Sequence, residues 1–184
     1  MTNLDAKLKA TVIDAVLSGE YLQPKCEVSY VEGDDGRKHY QAVALSTSDP
    51  NVACVFSLPT EGRNIYVTVT DGDREVIGQV LATLEDLEVE SSIHLGNVQL
   101  LDSPELRKRD IVGVILLMPR TSNALKHLPL DITVGNTQYR FLLVVFLSTR
   151  ENEVRKTQGH DALMDFFSST GKDLVSFGAP LPSG

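Results

Sequence analysis

The chain has 184 residues, with 17 Lys and Arg against 25 Asp and Glu, and a formal charge of −8 at pH 7. Hydrophobic residues make up 42% and charged residues 23%, which excludes disordered and fibrous classes and supplies a core without disulfides or metal. The acid surplus excludes a dedicated nucleic-acid binder, whose phosphate contacts need Lys and Arg.

The charge is uneven. Residues 1–92 hold 7 basic and 16 acidic side chains, a net of −9, and residues 93–184 hold 10 and 9, a net of +1. One reading is a solubilising surface. The other is an acidic face that steers a basic partner toward it.

Leu4, Leu8, Val12 and Val16 stand four apart and predict a helix over 2–18, with Gly19 as its stop. Strands over 26–31 and 40–46 flank the turn-rich 32–37 and predict a hairpin. Strands over 52–58 and 65–70 form a second hairpin or meander. Val76, Ile77, Val80, Leu81, Leu84 and Leu87 make an apolar stripe and predict a helix over 71–90. Thr70 or Asp71 can cap its start, and Asp73 and Glu75 suit the positive end of its dipole. Its far end carries Glu85, Asp86, Glu88 and Glu90, which oppose the dipole at about 0.3 kcal/mol or more each. Either these four form an acidic, partner-binding face, or the helix ends earlier and they lie on a solvated loop.

Residues 93–101 are strand-like, broken at Gly96-Asn97. The Pro-started 103–110 contains Arg107-Lys108-Arg109, read as a solvated turn. Residues 111–118 are a buried strand, and 131–134 with 139–147 a closing hairpin across Gly135-Asn136. Ser148 to Glu151 matches a capping box opening one helix to about 168, with Leu163, Phe166 and Phe167 on its core face. Glu151 with Arg155 is a supportive i,i+4 pair, and Gly171 ends the helix. The chain reads as one domain over 1–184, with 170–184 loosely ordered and 178–184 frayed. The predicted class is α+β: an α/β sandwich, with a mixed, mostly antiparallel sheet and helices packed on it.

No motif carries catalysis. Gly171-Lys172 is followed by Asp173, so there is no phosphate loop. There is no nucleophile elbow. Asp71-Gly72-Asp73 opens like a calcium loop, but Val76 stands where the tight-turn glycine belongs. His39, His94, His127 and His160 form no H-x-x-x-H pair. His160 with Asp161, Asp165 and Glu153 is either a carboxylate–histidine metal site or a polar helix surface. Cys26 and Cys54 lie in apolar runs without a C-x-x-C spacing and read as buried structural thiols. The N-terminus lacks a signal-peptide pattern, and the longest apolar runs, 111–119 and 141–148, fall short of the ~20 residues of a membrane span. The expectation is a soluble, cytoplasmic protein without metal or cofactor.

Several motifs follow one another in order. These are Gly96-Asn97-Val98, the strand 111–119 closing on Leu-Leu-Met-Pro, the strand starting Tyr139-Arg140-Phe141, and a helix with Glu153, Gly159 and Ala162-Leu163-Met164. This succession resembles the suppressor-of-fused superfamily domain, with its strand closing on L-x-x-P and its strand before an E…G…A-L helix. Tyr66 to Gly72 resembles the family's T-x-G segment, although Val69, Thr70 and Asp71 depart from it. The resemblance covers 60–170 and implies an α/β sandwich that binds proteins and has no catalytic site. For the bacterial single-domain type it implies an immunity protein that neutralises a toxin. No functional residue carries over, because the matching positions are core and turn residues.

Three functions are expected in turn. The first is a non-enzymatic protein-binding domain, of immunity type, whose protein partner has a basic surface, with neither nucleic acid nor membrane as partner. The second is an enzyme using carboxylates and histidine, with Asp71, Asp73, His160 or Asp165 as candidates. The third is a regulatory or structural subunit acting as an oligomer; the chain itself reads as monomer or homodimer.

Overall fold

In a computed structural model of the chain, residues 3–19, 22–32, 39–175 and Phe177 are described. The elements run α1 (Asn3–Leu17), β1 (Leu22–Glu32), β2 (His39–Thr47), β3 (Ala53–Leu58), β4 (Asn64–Thr70), α2 (Arg74–Glu90), β5 (Val98–Leu100), α3 (Pro104–Arg107), β6 (Ile111–Leu117), β7 (Asp131–Val134), β8 (Thr137–Ser148), α4 (Thr149–Gln158) and α5 (His160–Thr170).

The eight strands form one sheet in the order β1-β2-β3-β4-β8-β6-β5, with β7 also paired to β8. Every pairing is antiparallel except β4 with β8, which run parallel from Asn64↔Arg140 to Val67↔Leu143. β8 is the backbone of the sheet. Its first residues pair with β7, its middle with β4, and its second half with β6.

Alternation along the strands sends side chains to two cores. Phe141, Leu143, Val145 and Leu147 of β8 join Ile65, Val67 and Phe56 under α1 and α5, which contribute Val12, Val16, Leu163 and Phe167. Leu142, Val144 and Phe146 face the other way and meet Tyr66, Ile77, Leu81 and Leu84 of the α2 side. Helices on both faces explain why residues 141–147 of β8 read as one apolar run, since neither face of that stretch meets water. The expected α/β sandwich with a mixed, mostly antiparallel sheet is what forms.

The structure departs from the sequence reading at several places. α2 is capped by Asp73, whose carboxylate accepts from the N–H groups of Glu75 (2.8 Å) and Val76 (3.2 Å). Thr70 and Asp71 are committed elsewhere: Thr70 Oγ1 accepts from Gly72 N (3.0 Å) and Asp71 from Phe177 N (2.6 Å). The last helix is two helices. Gly159 stands between them with φ +94° and ψ −177°, a conformation close to glycine-only that no helix contains. The Ser148–Glu151 capping box is present. Glu151 pairs with Lys172 (2.8 Å) instead of Arg155, whose Nε donates to Asn152 (3.2 Å).

The strand predicted over 93–101 shortens to β5, because the chain turns through 94–97 before pairing. Arg107 pairs with Asp102, Lys108 with Glu105 (2.6 Å), and Arg109 lies over the Phe177 ring (5.0 Å). Phe177, counted within a loosely ordered tail, is 2% exposed and sits edge-on to Phe146 with ring centroids 4.9 Å apart. The turn predicted over 32–37 begins at the end of β1, and the rest of it, like the tail predicted over 178–184, lies outside the described residues.

Candidate functional site

Carboxylates at the end of α2 have local partners that sequence reading could not supply. Glu88 Oε1 accepts from the backbone N–H of Arg63 (2.7 Å) and Asn64 (3.2 Å), and Oε2 from the Tyr66 hydroxyl (3.1 Å). Asp86 accepts from the Tyr40 hydroxyl. Glu85 Oε2 accepts from Thr60 N (3.3 Å). The turn joining β3 to β4 thus offers three backbone donors to two carboxylates, and α2 is clamped to the sheet through its own acidic end. Donors of this kind offset the unfavourable dipole at the helix C-terminus. Gly62 makes the approach possible, since a Cβ there would stand 2.5 Å from Glu88 Oε2.

Glu85, Asp86, Glu88 and Glu90 are therefore not one exposed face. Glu85 is 2% exposed, Asp86 and Glu88 are half-buried, and Glu90 alone of the four is exposed. The helix does run to Glu90 as expected. Its 17 residues make nearly five turns at ~3.6 residues each, and that length brings 85 and 88 over the β3–β4 turn.

Glu85 is the unusual member. Its Oε1 is buried without a hydrogen-bond partner among the described residues. Burial pushes its pKa up to about 8; the Thr60 amide and Ser57 hydroxyl hold it back, while Glu88 and Asp86 add to the rise. Burial likewise raises the hydroxyls of Tyr40 and Tyr66, assisted by Asp86 and Glu88 respectively.

Beside this seam lies a cleft of about 300 Å³. Arg63 and Asn64 line it from the start of β4, Glu88 from α2, His94 from the loop after α2, and Asp131 and Arg140 from the β7–β8 hairpin. The backbone bond from Arg140 N to Arg63 O (2.8 Å) holds the two arginines as neighbours across the parallel pairing. Arg140 Nε donates to Asp131 (2.9 Å). Asn64 Nδ2 donates to the Ile93 carbonyl (3.2 Å) and so fixes the loop that carries His94.

Among the described residues the large hydrophobics that remain exposed are Val89, Leu95, Leu100 and Leu130. Val89 follows Glu88, Leu95 follows His94, and Leu130 precedes Asp131. Three of the four thus stand one residue from a cleft-lining side chain, within ~3.8 Å of its Cα.

Candidates for catalysis are not assembled. Asp71 and Asp73 hold Phe177 and the α2 cap. His160 and Asp165 are exposed on α5. Among the described residues no group of three His, Cys, Asp or Glu could hold a metal. No helix among them is long and apolar enough to cross a membrane. Cys54 is a free thiol, fully buried in the core, and burial pushes its pKa up to about 12. Cys26 lies on β1, opposite Leu45.

The structure is similar to that of a SUFU (suppressor of fused protein) homolog from Neisseria gonorrhoeae FA 1090, with a TM-score of 0.70 over 99% of this chain and 98% of that one, at 11% identity. The chain has the suppressor-of-fused fold. Similarity extends with TM-score 0.49 to the Sufu–Fu complex structure (10% identity, 92% of this chain, 88% of that one) and with TM-score 0.45 to Drosophila Suppressor of Fused (10% identity, 88% and 43%). No protein-family model and no curated protein matches the chain. Within the suppressor-of-fused fold, the Leu-Leu-Met-Pro strand is β6 and the Tyr139 strand is β8. The two pair from Ile111↔Ser148 to Leu117↔Leu143, and the Glu153 and Ala162-Leu163-Met164 segments fall on α4 and α5. The cleft carries no sequence signature. Its residues come from four separated segments, joined by pairings distant in sequence such as Arg140↔Asn64.

Proposed function

We propose that this chain is a non-enzymatic protein-binding domain and that the cleft, together with the exposed Val89, Leu95 and Leu130, is its contact surface. The observation that carries this is a cleft holding two arginines, with the exposed Val89, Leu95 and Leu130 next in sequence to residues that line it. Arginine is enriched at interface centres, which are also more apolar than the rest of the surface. The suppressor-of-fused fold supports the same reading.

The partner is a protein whose net charge is positive. Its approach is steered by the −9 carried in residues 1–92, because long-range attraction depends on summed charge and not on local contacts. Of the acidic cluster, Glu90 presents its charge to such a partner, while Glu85 is buried and offers none. An immunity-type role, in which the chain covers a cationic toxin, is the finer form of this reading and rests on the sequence resemblance and the charge.

The test is affinity capture from the source organism's lysate at low and high salt, with the wild type, a Val89→Asp/Leu95→Asp variant and Glu90→Lys. A single partner retained by the wild type, lost with the double variant and weakened by Glu90→Lys and by salt is expected. Retention by the double variant removes the surface assignment. No retained protein at low salt removes the binding function.

A further inference from the structure

We propose that the cleft receives an acidic side chain of the partner, flanked by apolar residues. This rests on the protein-binding reading and names the chemistry that the contact selects.

The cleft's two arginines and two carboxylates balance in formal charge, but its hydrogen-bond donors are not all committed. Glu88 already accepts from three donors, two amides and the Tyr66 hydroxyl. Asp131 is paired with Arg140 through Nε, which leaves the terminal guanidinium nitrogens of Arg140 without a partner among the described residues. The Arg63 side chain is exposed and makes no hydrogen bond or ion pair with the described residues. Two arginines against two carboxylates, one already bound to Arg140 and the other to the β3–β4 turn, leave the donors of Arg63 and the outer donors of Arg140 to a ligand. A guanidinium presents parallel N–H donors, the geometry that grips a carboxylate.

Size and charge narrow the ligand further. About 300 Å³ sits at the lower end of small-molecule sites and accepts a side chain in preference to a nucleotide. Glu88 and Asp131 both line the cleft, so a phosphate dianion meets two carboxylates where a carboxylate monoanion brings half the charge. Val89, Leu95 and Leu130 then meet apolar residues on either side of the acid. A partner of positive net charge fits this as well, because steering and contact read different charges.

A 15N NMR titration of the full chain tests it, with N-acetyl-Leu-Glu-Leu amide, the Leu-Gln-Leu analogue, free glutarate and inorganic phosphate as probes. The expected result is that the glutamate peptide shifts the amides of Arg63, Asn64, His94 and Arg140, and that the Gln analogue or Arg63→Gln weakens binding about tenfold. Arg63 has no structural partner for its side chain, so its loss leaves the fold intact. Equal binding of the Glu and Gln peptides, an unaffected Arg63→Gln variant, or no shifts at millimolar peptide overturns the proposal. Glutarate or phosphate binding as tightly as the peptide overturns the docking of a flanked side chain. A partner captured from lysate while the peptides fail leaves protein binding standing and removes only this chemistry.

Discussion

Replacing Glu85 by Gln removes the ionisation of a carboxyl that is 2% exposed and has one oxygen unpartnered. The folded group titrates near 8 against the ordinary 4.5. Between these values the native state holds a proton that the unfolded chain has released, so stability falls as pH rises through that window. The slope is about 1.4 kcal/mol per pH step, and the whole fall is on the order of 5 kcal/mol at most. Water entering beside the charged carboxylate trims this, so about 2–4 kcal/mol is expected between pH 5 and pH 9. Glu85→Gln keeps the shape and the acceptor for Thr60 N but cannot ionise. Urea unfolding of both proteins across that range is the assay. The two curves are to lie within about 1 kcal/mol of each other at pH 5, and the variant is to become the more stable protein by pH 9. A difference between them that stays constant with pH refutes the reasoning, because the carboxyl would then titrate alike in both states.

Gly62→Ala puts a methyl where Glu88 reaches the β3–β4 turn and is expected to cost about 1–3 kcal/mol in thermal or urea unfolding, from the displaced hydrogen bonds. A Glu88→Gln background tests the cause, since a non-additive pair ties the cost to that carboxylate. Gly159→Ala forces a side chain into φ +94° and is expected to cost about 1–3 kcal/mol, read as a lower Tm with unchanged far-UV circular dichroism. Cys54 in the folded protein is expected to resist iodoacetamide, because its thiol is buried and high in pKa; peptide mapping by mass spectrometry checks labelling at that residue before and after urea.

The sequence made the elements legible wherever a local signal existed. The stripe Ile77 to Leu87 marked α2, Ser148 to Glu151 marked the start of α4, and the apolar runs marked β6 and β8. The parallel meeting of β4 and β8 was not legible, because it joins residues 64–67 to 140–143 with no turn between them to announce the register. For the same reason the Arg63–Arg140 cleft was invisible. The carboxylates at the end of α2 stand out in the sequence because they oppose the helix dipole. Their destination was missed, since the amides of Thr60, Arg63 and Asn64 lie across a β-turn 24–25 residues away. Gly159 was noted in the sequence as part of a family motif, while its positive φ, which divides α4 from α5, has no marker beyond its being glycine.

The parallel joint of β4 with β8 has a mechanical meaning. β1 to β4 are a meander of sequence neighbours, and β5 to β8 pair among themselves, so within the sheet the first half of the chain is stitched to the second across four residue positions. Arg63 belongs to one half and Arg140 to the other, and the cleft lies across the stitch. A ligand gripped by both arginines acts as a staple over that joint, and its binding free energy adds to the cohesion of the sheet as RT ln(1 + [L]/Kd). Splitting the chain in the loop between α2 and β5 gives two fragments whose reassociation strengthens in the presence of such a ligand.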